Sequence, residues 1–158
     1  LEPFTGSFNG EGYSISDFRY RNINEEYCGL FGYTLGAQIE KLDLGGARIN
    51  SELGACAPLI GRAQGTTVRE VSVSYYDLSG TALDFELWAF VEGANIAGMI
   101  ALMDNSVLDS SFSVTNLNST NHEDAKVAGL TLSMINNSFI FSSFFDGKAS
   151  FSADALSG

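Results

Sequence analysis

Apolar residues followed by apolar or small residues three and five positions later recur five times along the chain: Ile15/Phe18/Tyr20, Ile39/Leu42/Leu44, Val68/Val71/Val73, Val107/Ser110/Phe112 and Phe139/Ser142/Phe144. Successive first members are 24, 29, 39 and 32 residues apart. A second element precedes most of these units by about ten residues: Cys28-Gly29-Leu30-Phe31-Gly32, Ala57-Pro58-Leu59-Ile60-Gly61, Ala97-Gly98-Met99-Ile100-Ala101 and Ala128-Gly129-Leu130-Thr131-Leu132. No run is long enough for an amphipathic helix, and β-branched and aromatic residues are abundant, so each unit predicts short strands joined by turns.

A unit of this size cannot bury its apolar face alone and must stack on its neighbours. The expectation is an all-β chain, a parallel β-helix of about five coils, with equivalent positions rising roughly 4.8 Å per coil. Ile, Leu, Val and Phe fill the interior, glycines serve the corners, and Ser110, Ser111, Ser142 and Ser143 form hydroxyl ladders. The long gap between the third and fourth units predicts an insertion at 75–95. Leu83-Asp84-Phe85-Glu86-Leu87 alternates like a half-buried strand, whereas Leu83, Leu87 and Phe90 also fit helical spacing, so the insertion is either a hairpin or a short helix over 83–91. A polar loop at 116–126 holds the single histidine, His122.

The run from Pro3 through Thr5-Gly6-Ser7-Phe8-Asn9-Gly10 to Ile15 and Phe18 resembles the opening coil of GLUG-type repeats. Gly29-Leu30-Phe31-Gly32 followed by Ile39, Leu42 and Leu44 is similar to that family's "GLFG … I-x-N-L-x-L" unit, and the stretch from Leu59 to Val73 is a second copy. The later units keep the spacing but close on Ala101 and Leu132 in place of Gly. The resemblance implies a β-helix of bacterial surface or secreted proteins, including adhesins and the non-catalytic part of immunoglobulin-A-cleaving metalloproteases, with no chemistry in the repeats themselves.

Eight Lys and Arg against 19 Asp and Glu give a formal net charge of −11. That sign opposes binding to nucleic acid, whose affinity comes from cations displacing counterions. No apolar run approaches the roughly 20 residues that cross a bilayer. The chain opens on Leu1 with no signal peptide, which suits one domain excised from a larger protein. Cys28 and Cys56 lack zinc or redox spacing. Aligning the two GLFG-like elements sets Cys28 against Ala57, and an offset of one turns the thiols to opposite faces, so free buried thiols are expected rather than a disulfide.

No catalytic constellation is expected. One histidine cannot build a zincin, and His122 lies in a run of Asn, Glu and Asp that reads as solvated loop. Carboxylate pairs for polysaccharide cleavage need a shared ladder, and of Asp17, Asp43 and Asp109 only the first and last fall at the same position of their units. No cofactor is implied. Calcium is the ion that Asp77, Asp84 and Glu86, or Asn121, Glu123 and Asp124, could hold, though neither set has loop-motif spacing. Tyr75, Tyr76, Phe85 and Trp88 are the candidate contact residues, since aromatic anchors on loops of a rigid scaffold dominate recognition. Asn118 and Asn136 open formal glycosylation acceptors.

These readings converge on a non-catalytic binding or spacer module of an extracellular or bacterial cell-surface adhesin, whose partner is a host or cell-surface protein or a glycan. The alternative is the accessory β-helix of a secreted protease, or a polysaccharide-degrading enzyme. Open solenoid ends expose strand edges, so end-to-end self-association, or a cover formed by 144–156, is expected.

Overall fold

Three strand-forming stretches per turn wind the chain into a three-sided coil, described by a computed structural model for residues 2–22, 24–74, 90–119 and 126–151. The first face comprises β1 (Ser7–Asn9) and β2 (Ser14–Ser16), β6 (Gln38–Gly45), β9 (Thr67–Ser74), β12 (Val107–Asp109) and β13 (Phe112–Ser113), and β17 (Phe139–Phe141) and β18 (Phe144–Phe145). The second face comprises β3 (Arg19–Asn22) and β4 (Tyr27–Cys28), β7 (Arg48–Cys56), β10 (Phe90–Ala97), β14 (Asn116–Ser119) and β15 (Lys126–Ala128), and β19 (Lys148–Phe151). The third holds β5 (Phe31–Leu35), β8 (Ile60–Gln64), β11 (Ile100–Asp104) and β16 (Thr131–Ile135), with Phe4 bridging to Thr34 beneath it. Every ladder is parallel, and no helix occurs among the described residues. The chain is therefore a β-solenoid of a little over four turns.

The i, i+3, i+5 spacing has a backbone cause. A strand alone would put i, i+2 and i+4 on one side, but one residue of each first-face strand takes a left-handed conformation and advances the alternation by one. Those residues stack: Lys41 at φ 54°, Glu70 at 53°, Ser110 at 49° and Ser142 at 46°. A second left-handed row, Gly36, Gly65, Asn105 and Asn136, turns the corner from third to first face, using residue types that tolerate this region.

The kink also fixes which residues point inward. Phe8, Ile39, Val68, Leu108 and Ile140 form one continuous interior row across five layers, and Ile15, Leu44 and Val73 continue another. Their cluster with Leu59, Ile60, Met99, Ile100 and Met103 fills the space between the first and third faces. Each fully buried Leu or Ile contributes about 1.5–3 kcal/mol. In the last two units the expected frame is thus one residue off: Leu108 and Ile140 stack under Val68, whereas Val107 and Phe139 face outward beside Thr67. In the opening unit Ile15 stacks on Leu44, not Ile39, because Phe8 occupies that row.

Hydroxyls do stack, though only on one of the two expected rows. Ser111 Oγ accepts from the Val71 amide at 3.1 Å and Ser143 Oγ accepts from the Ser111 amide at 3.2 Å. Ser110 and Ser142 are the exposed left-handed residues instead. A ladder unforeseen from sequence runs up the corner between third and first faces, where Ser106 Oγ accepts from the Thr66 amide at 3.1 Å and Ser138 Oγ accepts from the Ser106 amide at 3.2 Å. Each hydroxyl thereby satisfies a backbone donor of the coil below.

The cysteines form a disulfide, correcting the expectation of free thiols: Cys28 and Cys56 are partners across β4 and β7, with Cα atoms 4.6 Å apart and both side chains buried. The first coil is one residue short at this corner. Cys28 precedes Phe31 by three positions and Cys56 precedes Ile60 by four, although Phe31 pairs with Ile60. An alignment anchored on the glycine motif therefore slips by one at the cysteines. The same shortage draws the first coil against Gly61, where an added Cβ would lie 2.6 Å from the Cys28 amide nitrogen and 2.7 Å from the Gly32 carbonyl oxygen.

Two boundaries also move. Residues 90–97 belong to β10, paired with β7 and β14, so the insertion is shorter than 75–95 and a helix over 83–91 is excluded at Phe90 and Val91. Gly45 is followed three positions later by Arg48, while Ser74 is followed sixteen positions later by Phe90, which leaves thirteen extra residues. At the far end, 144–145 and 148–151 are coil strands β18 and β19, so this part of 144–156 extends the solenoid rather than covering it.

Candidate functional site

All seven residues expected to bind a ligand or calcium, Tyr75, Tyr76, Phe85 and Trp88 together with Asp77, Asp84 and Glu86, lie outside the described residues, as do His122 and the Asn121, Glu123, Asp124 set. The structure shows where the first segment is rooted. It leaves the third coil at Ser74 and returns at Phe90, on the corner between first and second faces. Ser74 is buried, and its hydroxyl donates to Asp43 Oδ1 at 3.3 Å. Ser72 donates to the same carboxylate oxygen.

Asp43 in turn lines an open groove of about 510 Å³ on the first face. The groove exists because the opening coil takes a longer path here. Asn9 pairs with Glu40 and Ser14 with Asp43, so five steps of the first coil match three of the second, and Asn9, Glu11 and Gly12 form its wall. Asn9 Oδ1 accepts from the Glu11 amide at 2.8 Å and the Lys41 carbonyl accepts from the Gly12 amide at 2.8 Å, which ties the wall down. Glu11, Lys41 and Glu70 are its exposed charges. Among the described residues no three His, Cys, Asp or Glu side chains are grouped to hold a metal ion.

The carboxylates do not share a ladder. Asp109 continues the row Asn9, Glu40, Arg69 and forms an ion pair with Arg69 at 3.4 Å. Asp17 instead turns the corner after β2 with φ 57°, so the register expected for Asp17 and Asp109 does not exist.

Sequence reasoning also missed how the outward rows of the first face change along the axis. The positions occupied by Gln38, Glu40 and Asp43 in the second coil become Thr67, Arg69 and Ser72, then Val107, Asp109 and Phe112, and finally Phe139, Phe141 and Phe144. The last three are about half exposed, at 49%, 51% and 56%, with Phe112 and Phe144 stacked at 5.3 Å between ring centroids. An apolar scan reads these rings as core, which is how the frame slipped.

A second, smaller cleft of about 270 Å³ sits where the second face meets the third, lined by Glu25, Glu26, Tyr27, Tyr33 and Arg62. Arg62 and Tyr33 are partners across β8 and β5. The guanidinium carbon lies 5.2 Å from the Tyr33 ring centroid and 5.7 Å from that of Tyr27, within cation–π range. Burial, then the neighbouring Glu26 carboxylate, hold the Tyr27 phenol above its usual range, while Arg62 acts in the opposite sense. No sequence motif marks this cleft, because its residues come from two coils.

The described residues form a parallel β-solenoid scaffold with polar clefts on its surface. Over 127 residues, 79% of the chain, it is 30% identical to halomucin of Haloquadratum walsbyi (strain DSM 16790 / HBSQ001), and it spans only 1% of that protein's length. No family model and no solved structure matches the chain.

Proposed function

We propose that this solenoid is a non-catalytic structural and binding module of a large secreted or cell-surface protein of the GLUG-repeat kind. In this reading the stacked coils act as a stiff spacer, and residues 75–89 act as the contact segment for a protein or glycan of a neighbouring cell. The observation that carries it is the stack of parallel coils, with thirteen extra residues at one corner of one coil. Loops held by a rigid scaffold are where recognition concentrates. The Cys28–Cys56 disulfide supports an oxidising, extracytoplasmic setting. The likeness to a stretch of halomucin supports a role as one small part of a very long chain.

The test joins Ser74 to Phe90 through a short turn and compares the shortened and full chains for adhesion to intact cells and to arrayed glycans. Loss of binding with an unchanged melting temperature is expected. Equal binding by both chains would remove the contact role of 75–89, and no binding by either would leave the spacer role alone.

A further inference from the structure

The Arg62 cleft is built from parts that have no need to meet for the solenoid to stack. On the third face the outward row runs Tyr33, Arg62, Leu102, Ser133, and the guanidinium sits against rings of the first coil, from β4 and from β5. The Tyr33 hydroxyl donates to Gln64 Oε1 at 2.6 Å, which fixes that ring. Arg62 Nε is buried and has no hydrogen-bond partner among the described residues. The opposite wall carries the exposed carboxylates Glu25 and Glu26.

These groups select a ligand chemistry. Arg62 offers hydrogen-bond donors and Glu25 and Glu26 offer acceptors in one cleft, a pairing matched by a group that both accepts and donates hydrogen bonds, as a sugar hydroxyl does. Tyrosine rings offer an apolar body for the C–H face of a pyranose and a polar tip for its hydroxyls. A cleft of about 270 Å³ falls just under the roughly 300–1,000 Å³ of pockets that enclose drug-sized ligands, which suits one sugar ring.

We propose that this cleft binds a single neutral pyranose unit of a glycan, with Arg62 donating to one ring hydroxyl, Glu26 accepting from its neighbour, and Tyr27 and Tyr33, whose rings hold the guanidinium, lining the same cleft. It stands on residues separate from the 75–89 segment and does not depend on that segment's role.

The experiment titrates the full, disulfide-bonded chain with the methyl glycosides of glucose, galactose, mannose and N-acetylglucosamine, and with methyl glucuronide, following the Arg62 Nε–H signal by NMR. A saturable shift with at least one neutral glycoside at millimolar concentration is expected, with the Tyr27 and Tyr33 ring signals moving in step. Arg62→Lys, which keeps the charge and loses the planar fork, weakens binding about tenfold, and Glu26→Gln, at an exposed position, weakens it without moving the melting temperature. No saturable shift with any neutral glycoside would overturn the proposal. So would binding of the glucuronide alone, or equal affinity in Glu26→Gln and the parent chain. Deleting 75–89 leaves this titration unchanged, so its failure is distinguishable from failure of the contact-loop reading.

Discussion

Replacing both Cys28 and Cys56 by alanine removes a staple between the first coil and the second. The two residues are 28 positions apart, and releasing a closed loop of that size returns about 3–4 kcal/mol of conformational freedom to the unfolded chain at 25 °C. Because each coil of a solenoid is stabilised mainly by its immediate neighbours, the loss falls on the end that the bond secures. Among the described residues β1, β2, β3 and β4 pair solely with β6 and β7. Amide hydrogen exchange therefore accelerates by two to three powers of ten in these strands and β5, while β11 and β12, two coils away, exchange as before. In the parent chain both sulfurs are buried, so thiol reagents after gentle reductant treatment label the native protein far more slowly than the unfolded one. Two free thiols in the unreduced, unfolded protein would refute the pairing. Acceleration spread evenly over all coils, or under tenfold in the first, would refute the local account of its effect.

Leu108→Ala opens the continuous interior row between Val68 and Ile140 and is expected to cost about 3 kcal/mol, read from the urea midpoint. Gly61→Ala forces a Cβ against the backbone of the shortened first coil and is expected to cost about 1–3 kcal/mol, whereas Ala101→Gly, at the equivalent place one coil further, gives the smaller loss of about 1 kcal/mol characteristic of chain entropy; equal losses would contradict the close-approach argument. The Tyr27 phenol is held above the usual tyrosine range by burial and Glu26. The folded state thus retains this proton more tightly than the unfolded state, a contribution fully present below pH 10 and lost as pH rises through the folded value. Tyr27→Phe should delete a component of the ultraviolet phenolate curve that titrates above the ordinary tyrosine range, and loss of a component within that range would contradict the assignment.

The pattern of apolar positions carried the architecture because stacking repeats the same demand in every coil. Ile39, Leu42 and Leu44 and their counterparts Val68, Val71 and Val73 were readable since the left-handed residue between them, Lys41 or Glu70, displaces the alternation identically each time. Where the interior position is a serine, as at Ser111 and Ser143, hydrophobicity no longer marks the inside, and the outward Phe112, Phe139 and Phe144 draw the frame one residue early. The disulfide was hidden by a single missing residue: motif spacing measures chain length, whereas pairing measures height along the axis. The Arg62 cleft had no local signature at all, because it depends on which side chains of successive coils lie side by side.

Corner lengths explain why extra chain gathers where it does. From the start of each third-face strand to the next first-face strand the path is seven positions from Phe31 to Gln38, Ile60 to Thr67 and Ile100 to Val107, and one longer, eight, from Thr131 to Phe139. That corner is locked by the left-handed row and by the Thr66, Ser106, Ser138 ladder, and it encloses the principal core. The fourth coil takes one added residue there and keeps the ladder, since Ser138 Oγ still accepts from the Ser106 amide, but a long insertion would strand buried backbone donors, each costing about 1–3 kcal/mol. Across the second face the requirement relaxes. The steps between its two strand segments are five from Asn22 to Tyr27, four from Ser51 to Ala55, two from Gly93 to Asn95 and seven from Ser119 to Lys126. Length thus varies more across the second face, from two to seven steps, than at the corner beside the main core, from seven to eight. The corner from first to second face takes three steps from Ser16 to Arg19, Gly45 to Arg48, Ser113 to Asn116 and Phe145 to Lys148, but sixteen from Ser74 to Phe90 with the ladders on both sides kept; transplanting residues 75–89 into the corner between Gln64 and Thr67 should instead prevent the third coil from closing.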